Sequence, residues 1–364
     1  MNILINASNL RQGGGVQVAQ SLIAQIERFP QHHFVVVVSD FVKELKPYTT
    51  SNLVLYKYTI KSTLVSLLSG RDKLLDQLVD EKQIDVVLTV FGPSRWRPRV
   101  PHLCGFARAQ LVLTDSPYYK RFSFKEKVIC KIWTWLFKKS SNTFYTENAY
   151  ISKMLPDLLG NVQVYTVSNY YNQVFDIPSL WRKHPLPSFN GCTCLSISSF
   201  YPHKNFNILI GAAQALRSKY PDFCFRFVLT FDERQMDIPE KLRQHFVFIG
   251  KVDVDECPDL YRQSNVMVMP TLMECFTATY PEAMRMEIPI VTTDLEFARG
   301  LCEDAACYYS AMDAEACADA IYRVATDHAY MARLVAKGKQ QLQKFDNYEQ
   351  RADKLIGILE EMTK

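Results

Sequence analysis

Short apolar, β-branched runs alternate with segments of helical period from one end of this chain to the other. That alternation predicts an α/β fold with parallel sheets. In the first half the runs fall at Ile3–Asn6, Phe34–Val38, Leu53–Tyr58, Asp85–Thr89, His102–Phe106, Thr143–Tyr145 and Gln163–Val167. Val16, Ala19, Leu22, Ile23 and Ile26 recur at helical spacing, so a helix follows the first loop. From Asn169 to Asn190 the period stops, and Pro178, Pro185 and Pro187 sit among aromatic residues, the mark of a linker. A second series then restarts at Thr193–Ser198, Phe225–Leu229, Phe246–Ile249, Val266–Met269, Pro289–Thr292 and Ala306–Tyr309. Tyr348 to Met362 reads as one amphipathic helix.

Length and composition narrow this picture. A chain of 364 residues exceeds one ordinary core and fits two domains. With 48% hydrophobic and 22% charged residues it has a normal globular composition. A net charge of +4 is too small to argue for a nucleic-acid partner. The ten cysteines form no C-x-x-C pair, and Cys104, Cys192, Cys194 and Cys224 lie in apolar contexts, so a reducing cytoplasm is expected. The opening Met-Asn-Ile-Leu-Ile-Asn reads as a strand rather than a signal peptide, and no apolar run approaches the roughly 20 residues of a membrane span. Seven scattered histidines show no metal-ligand spacing, so neither metal nor cofactor is expected.

The most informative stretch runs from Pro270 to Met284. Glu274 and Glu282 flank a short turn that should open a helix, fed by the apolar strand Val266–Met269. In an open parallel sheet, ligands bind in the crevice at the strand ends. A helix N-terminus there offers N–H groups and a positive dipole end to a phosphate. Carboxylates only accept, so Glu274 and Glu282 would take hydroxyl donors, and hydroxyls beside an anion site describe a nucleotide sugar. The plainer reading makes Glu282 a helix-dipole residue and Glu274 a solvated loop residue.

Glu274 through Glu282, with Phe276 and the Glu-Ala-Met that follows, resembles the E-x7-E motif of retaining glycosyltransferases of family 4. The resemblance covers nearly the whole chain, is strongest over residues 193 to 294, and implies a GT-B fold: two doubly wound Rossmann-like domains facing across a cleft. It implies an acceptor-side domain over 1–170, a nucleotide-sugar-binding domain over 171–345, and a helix over 346–364 returning to the first domain. Glu274 would bind the donor sugar and Glu282 the ribose, with Phe276, Thr277, Ala278 and Thr279 lining the donor.

Other segments extend the resemblance. Asn6 to Val16 carries Gly13, Gly14 and Gly15 after the first strand, where backbone can approach a ligand closely. This matches the family's glycine loop near the donor diphosphate, with Arg11 as an anion or acceptor contact. Ser196 to Phe206 matches the family's R-x4-K segment, with Lys204 on the donor phosphates and Asn205 near a helix start. The arginine position is Ser199, so part of the phosphate clamp is missing. Asn142–Asn148 and Val167–Tyr170 match the family's crossover segments. Arg95, Arg97 and Arg99 crowd a loop suited to an acidic or pyrophosphate-bearing acceptor. His102 is the nearest candidate for the histidine many members place by the donor sugar, with Arg108 and Asp115 as comparable candidates. The Asp253-Val254-Asp255 triplet precedes a helix start and reads as capping rather than a metal motif.

Residues 118–139 are basic and aromatic together, from Tyr118-Tyr119-Lys120-Arg121 to Leu136-Phe137-Lys138-Lys139. Two readings stay open: a segment lying on an anionic membrane surface, or a core-packed helix with a solvated lysine face. The expected enzyme is a hexosyltransferase taking a UDP-sugar, or GDP-mannose, to a glycan acceptor, as a polyprenyl-linked chain in bacterial capsule or lipopolysaccharide synthesis. It would be cytoplasmic, peripheral on the inner face of the plasma membrane. A nucleotide-sugar epimerase on the same fold, or a catalytically weak scaffold that binds glycan or membrane, is the alternative.

Overall fold

A computed structural model describes residues 1–11, 14–40, 51–60 and 68–364. Gly13 of the glycine-rich loop therefore lies outside the described residues. Contacts divide the chain into two units: Met1–Thr114, Phe122–Asn169 and Asp346–Lys364 form the first, Asp115–Arg121 and Tyr170–Phe345 the second.

The first unit is built on β1 (Asn2–Ala7), β2 (His33–Val38), β3 (Leu53–Lys57), β4 (Val86–Thr89), β5 (His102–Gly105), β6 (Thr143–Thr146) and β7 (Gln163–Thr166). Their order is β3-β2-β1-β4-β5-β6-β7, and each pairing is parallel. The unbroken apolar runs follow from burial on both faces. Ile3 and Ile5 join one cluster with Val36, Leu88 and, from the C-terminal helix, Leu355 and Leu359. Leu4 points the other way, to Val35, Val37, Val87, Leu75 and Trp96.

The second unit has β8 (Cys192–Ser196), β9 (Phe225–Leu229), β10 (Phe246–Phe248), β11 (Val266–Met269), β12 (Ile290–Thr293) and β13 (Ala306–Tyr309). They lie in the order β10-β9-β8-β11-β12-β13, again parallel. Strand order reverses between β1 and β4 in one sheet and between β8 and β11 in the other, where a ligand crevice opens beyond the strand ends. The stretch after Asn169 is no free linker. Arg182 binds Asp253 and Asp255, and the His184 and Leu186 amides donate to Asp259 and Gln263.

The helix Tyr348–Met362 starts from a capping box between Asn347 and Gln350 and completes the first unit's core. One ionic contact ties it down. Arg351 Nη2 lies 3.0 Å from Glu147 Oε1, both side chains buried, close in distance but out of hydrogen-bond alignment. Arg351 also donates to the Ser168 carbonyl at 3.0 Å. Burial pushes the Glu147 carboxyl up, and the guanidinium pulls it back. Removing one buried partner strands the other charge, whereas removing both does not. Glu147→Ala is expected to cost about 3–5 kcal/mol in denaturant unfolding, and Glu147→Leu with Arg351→Met much less. A double variant as unstable as the single one would show the pair to be packing alone.

Candidate functional site

The site is assembled where β11 ends. Val266 to Met269 are fully buried, and Pro270 ends the strand. The following loop is held by its own polar groups. Thr293 Oγ1 donates to the Thr271 carbonyl at 2.6 Å, and Ser116 Oγ to the Leu272 carbonyl at 2.7 Å. The Leu272 amide donates to the His203 carbonyl at 2.8 Å, tying this loop to the one after β8.

That tie brings Lys204 to Glu274. Lys204 Nζ stands 2.5 Å from Glu274 Oε1, and Thr271 Oγ1 donates to the same oxygen at 3.0 Å. Lys204 is almost wholly buried, in a 3-10 turn over Pro202–Lys204 that closes with Asn205 in the left-handed conformation, φ 54°. The next helix begins at Ile208, whose amide donates to the Asn205 carbonyl at 3.1 Å, so Asn205 lies near a helix start as expected and ends the turn before it. His203 Nε2 lies 3.9 Å from Glu274, and its ring sits near those of Tyr201 and Tyr118, with centroids 5.6 and 5.9 Å away. Burial pulls the His203 pKa down more than Glu274 lifts it, so the ring is neutral near pH 7.

Phe276 and Ala278 are half-buried, and Thr277 and Thr279 are buried with their hydroxyls 2.6 Å apart. They lead into the helix Thr279–Arg285. Glu282 is not the open helix-start acceptor read from the sequence. It is the helix's fourth residue, 8% exposed, and its Oε2 accepts from Tyr261 at 3.1 Å. Burial raises its pKa from 4.5 to about 7, and the Tyr261 hydrogen bond limits the rise. Tyr261 is the residue the sequence reading missed, because nothing in its helix, Cys257–Arg262, signals a partner 21 positions on. Ser199, at the missing clamp position, is exposed.

Most of the remaining candidates belong to the first unit. Gly14 and Gly15 begin the helix Gly14–Ile23 in the first unit, and Arg11 is exposed just before it. A Cβ on Gly14 would meet nothing within 4 Å, so packing does not demand a glycine there. Arg95 is half-buried after β4, and Arg108 lies over the Trp133 ring at 3.4 Å. His102 is corrected to a packing residue. It is buried on β5, its Nε2 meets Thr89 at 2.8 Å and its Nδ1 the Ser140 carbonyl at 2.9 Å. Burial lowers its pKa to about 4, and no ring nitrogen is left for a sugar. Asp253 and Asp255 do not cap a helix as expected. Both grip Arg182, at 2.6 and 2.8 Å, and Glu256 at the N-cap of the following helix makes no side-chain cap bond. Among the described residues no cluster of three or more His, Cys, Asp or Glu is placed to hold a metal.

Known proteins bear on this geometry. Residues 191–327, which hold Lys204, Glu274 and Glu282, match the family described as Glycosyl transferases group 1. The chain is 24% identical over 246 residues to the O-antigen chain mannosyltransferase RfbU of Salmonella typhimurium, covering 65% of this chain and 67% of that one. The sucrose-phosphate synthase of Thermosynechococcus elongatus superposes with TM-score 0.72 at 15% identity, over 99% of this chain and 98% of that one. Anabaena HepE, solved with UDP and glucose, superposes with TM-score 0.68 at 15% identity, over 99% and 100%. The two doubly wound sheets thus have the GT-B fold, and residues 191–327 resemble the group 1 glycosyl transferases, as the sugar-transferring relatives do.

Proposed function

We propose that this enzyme moves a hexose from a nucleoside diphosphate sugar to a hydroxyl of a lipid-linked glycan, retaining the anomeric configuration and using no metal. The observation that carries the reading is the contact of Lys204 with Glu274 beside the helix that holds Glu282. A cation for the phosphates, an acceptor for sugar hydroxyls and a second acceptor for the ribose are the three groups such a donor needs. In transfer, the bond from the anomeric carbon to the phosphate oxygen breaks, and the acceptor oxygen bonds on the same face. The acceptor's proton passes to the departing diphosphate. Lys204 stabilises the charge that develops on that leaving group. With Ser199 in place of the arginine, Lys204 carries more of that duty, and Arg11 and the turn over 276–279 are proposed to share it.

HepE's binding of UDP and glucose supports a UDP-sugar, and the Salmonella relative's name keeps a mannosyl donor as the alternative. That relative's O-antigen role also supports surface-polysaccharide assembly, capsule or lipopolysaccharide, at the cytoplasmic face of the membrane. Gly14 and Gly15 are assigned to the close approach of donor and acceptor.

Calorimetric titration with UDP, GDP and ADP, with and without EDTA, tests the donor site. One nucleotide should bind with a Kd on the order of micromolar, insensitive to EDTA. Glu282→Ala should weaken it about tenfold, and Lys204→Ala should weaken the diphosphate while leaving the bare nucleoside unchanged. Failure of all three nucleotides to bind would retire the reading.

The raised pKa of Glu282 gives a pH dependence of definite sign. Its neutral form is favoured by folding, so its share of stability is full below about pH 4.5 and is lost as pH rises through about 7. Ribose hydroxyls favour the carboxylate, so nucleotide affinity should rise between about pH 6 and 8, by up to ~tenfold per unit below the pKa. Glu282→Gln should flatten both profiles; a wild-type affinity independent of pH would exclude ribose contact.

Gly14→Ala tests the glycine loop. A Cβ there meets nothing within 4 Å, so the variant should be no less stable in thermal unfolding. Transfer should nevertheless fall at least about tenfold, because the added methyl enters the space assigned to ligand. Full activity in this variant would remove the loop from the site.

A further inference from the structure

We propose that the helix Phe124–Ser140 docks the first unit onto an anionic lipid surface. The helix opens with a capping box, in which Ser123 Oγ accepts from the Glu126 amide and Glu126 accepts from the Ser123 amide at 2.7 Å. It has two apolar faces. The inner one, Cys130, Leu136 and Phe137, is buried, with Phe137 against Phe106 and Phe144 at centroid distances of 4.8 and 6.1 Å. The outer one is not. Phe124 is 84% exposed, and Val128, Ile129, Ile132 and Trp135 are 37–51% exposed.

At 3.6 residues per turn, Phe124, Val128, Ile132 and Trp135 share one arc of roughly 80°. Lys127, Lys131 and Lys138 run along one flank of that arc and Lys125 stands on the other, while Lys139 falls within it, its ammonium 5.0 Å from the Trp135 ring centroid and donating to the Leu68 carbonyl. The helix has five lysines and a single acid, Glu126, which is turned back onto Ser123. An ordinary surface helix places its charges opposite its core face, and here large apolar residues share that outer face with the lysines.

Charge selects the occupant. A second copy of the helix would set lysine against lysine, whereas anionic headgroups pair with them while the lysine stems lie along the apolar stripe. Phe124 and Trp135 suit the headgroup boundary, and no helix among the described residues is long and apolar enough to cross the bilayer. The helix would lie in the interface plane. Tyr119–Arg121, read from the sequence as part of one basic segment, is a separate 3-10 turn grouped with the second unit, so the docking face is the helix alone. The inference takes from the proposed function only the lipid-linked acceptor, which gives such a face its use.

The test is sedimentation of the full chain with phosphatidylcholine vesicles, with and without about one-third phosphatidylglycerol. Binding is expected only with the anionic lipid, weakening with salt. It should fall at least ~tenfold in Ile132→Ser/Trp135→Ser and in Lys127→Glu/Lys131→Glu/Lys138→Glu, with thermal unfolding unchanged. No binding to anionic vesicles, equal binding to neutral ones, or variants that bind like wild type would overturn the proposal. So would a dimer in velocity sedimentation that the double variant dissociates. Vesicle binding without nucleotide binding would retire the donor reading and leave this one standing, and the reverse would retire this one alone.

Discussion

A parallel strand must be reached by a crossover, and crossovers deliver every strand of a sheet with its C-terminal end on the same edge. In each unit the first strand, β1 or β8, is flanked by strands laid down in opposite directions of winding. The two crossovers that leave such a point curl away from each other, and the space they open is where side chains from distant segments meet. Lys204 follows β8 and Glu274 follows β11, the two neighbours at the reversal, so their contact is a product of strand order. The same geometry in the first unit sets the Gly14–Gly15 loop after β1 beside the loop after β4, and Asn9 donates there to the Phe91 carbonyl at 2.6 Å.

The electrostatics of the second unit's site rest on partial burial. Lys204 and Glu274 pair at the loop edge, whereas Glu282, more deeply buried, accepts from a tyrosine hydroxyl. A donor that reaches Lys204 would meet a cation already shared with a carboxylate. Phosphate and sugar hydroxyls would then divide the pair, the phosphate taking the ammonium and the hydroxyls the carboxylate. Lys204 itself is buried in its turn rather than reaching in from solvent.

Much of this was legible in the sequence because buried parallel strands are continuous apolar runs with no competing period. Leu53, Thr143, Gln163, Phe225, Val266 and Ala306 each begin a strand where the pattern starts one. The Glu274–Glu282 spacing was legible because both residues lie on one loop and helix. What depends on partners far along the chain was not. Tyr261 over Glu282, Arg182 between Asp253 and Asp255, and the Thr89–His102–Ser140 contacts join residues whose local sequences are silent about each other. Asn205 lies near a helix start as read, but its left-handed turn was not legible, because asparagine serves equally in a cap or in such a turn and its neighbours decide which.

The C-terminal helix has a consequence for how the protein is made. Leu355, Ile356 and Leu359 fill the core laid down by Ile3 and Ile5, yet the ribosome emits the entire second unit between them. Until the last turn emerges, the nascent first unit exposes the apolar groove that this helix will cover, with Glu147 still lacking its guanidinium. The second unit, contiguous apart from Asp115–Arg121, is free to form first. Strands synthesised before the second unit therefore belong to a core completed after it, and a chaperone holding that groove open during translation would guard against its closing on the wrong helix.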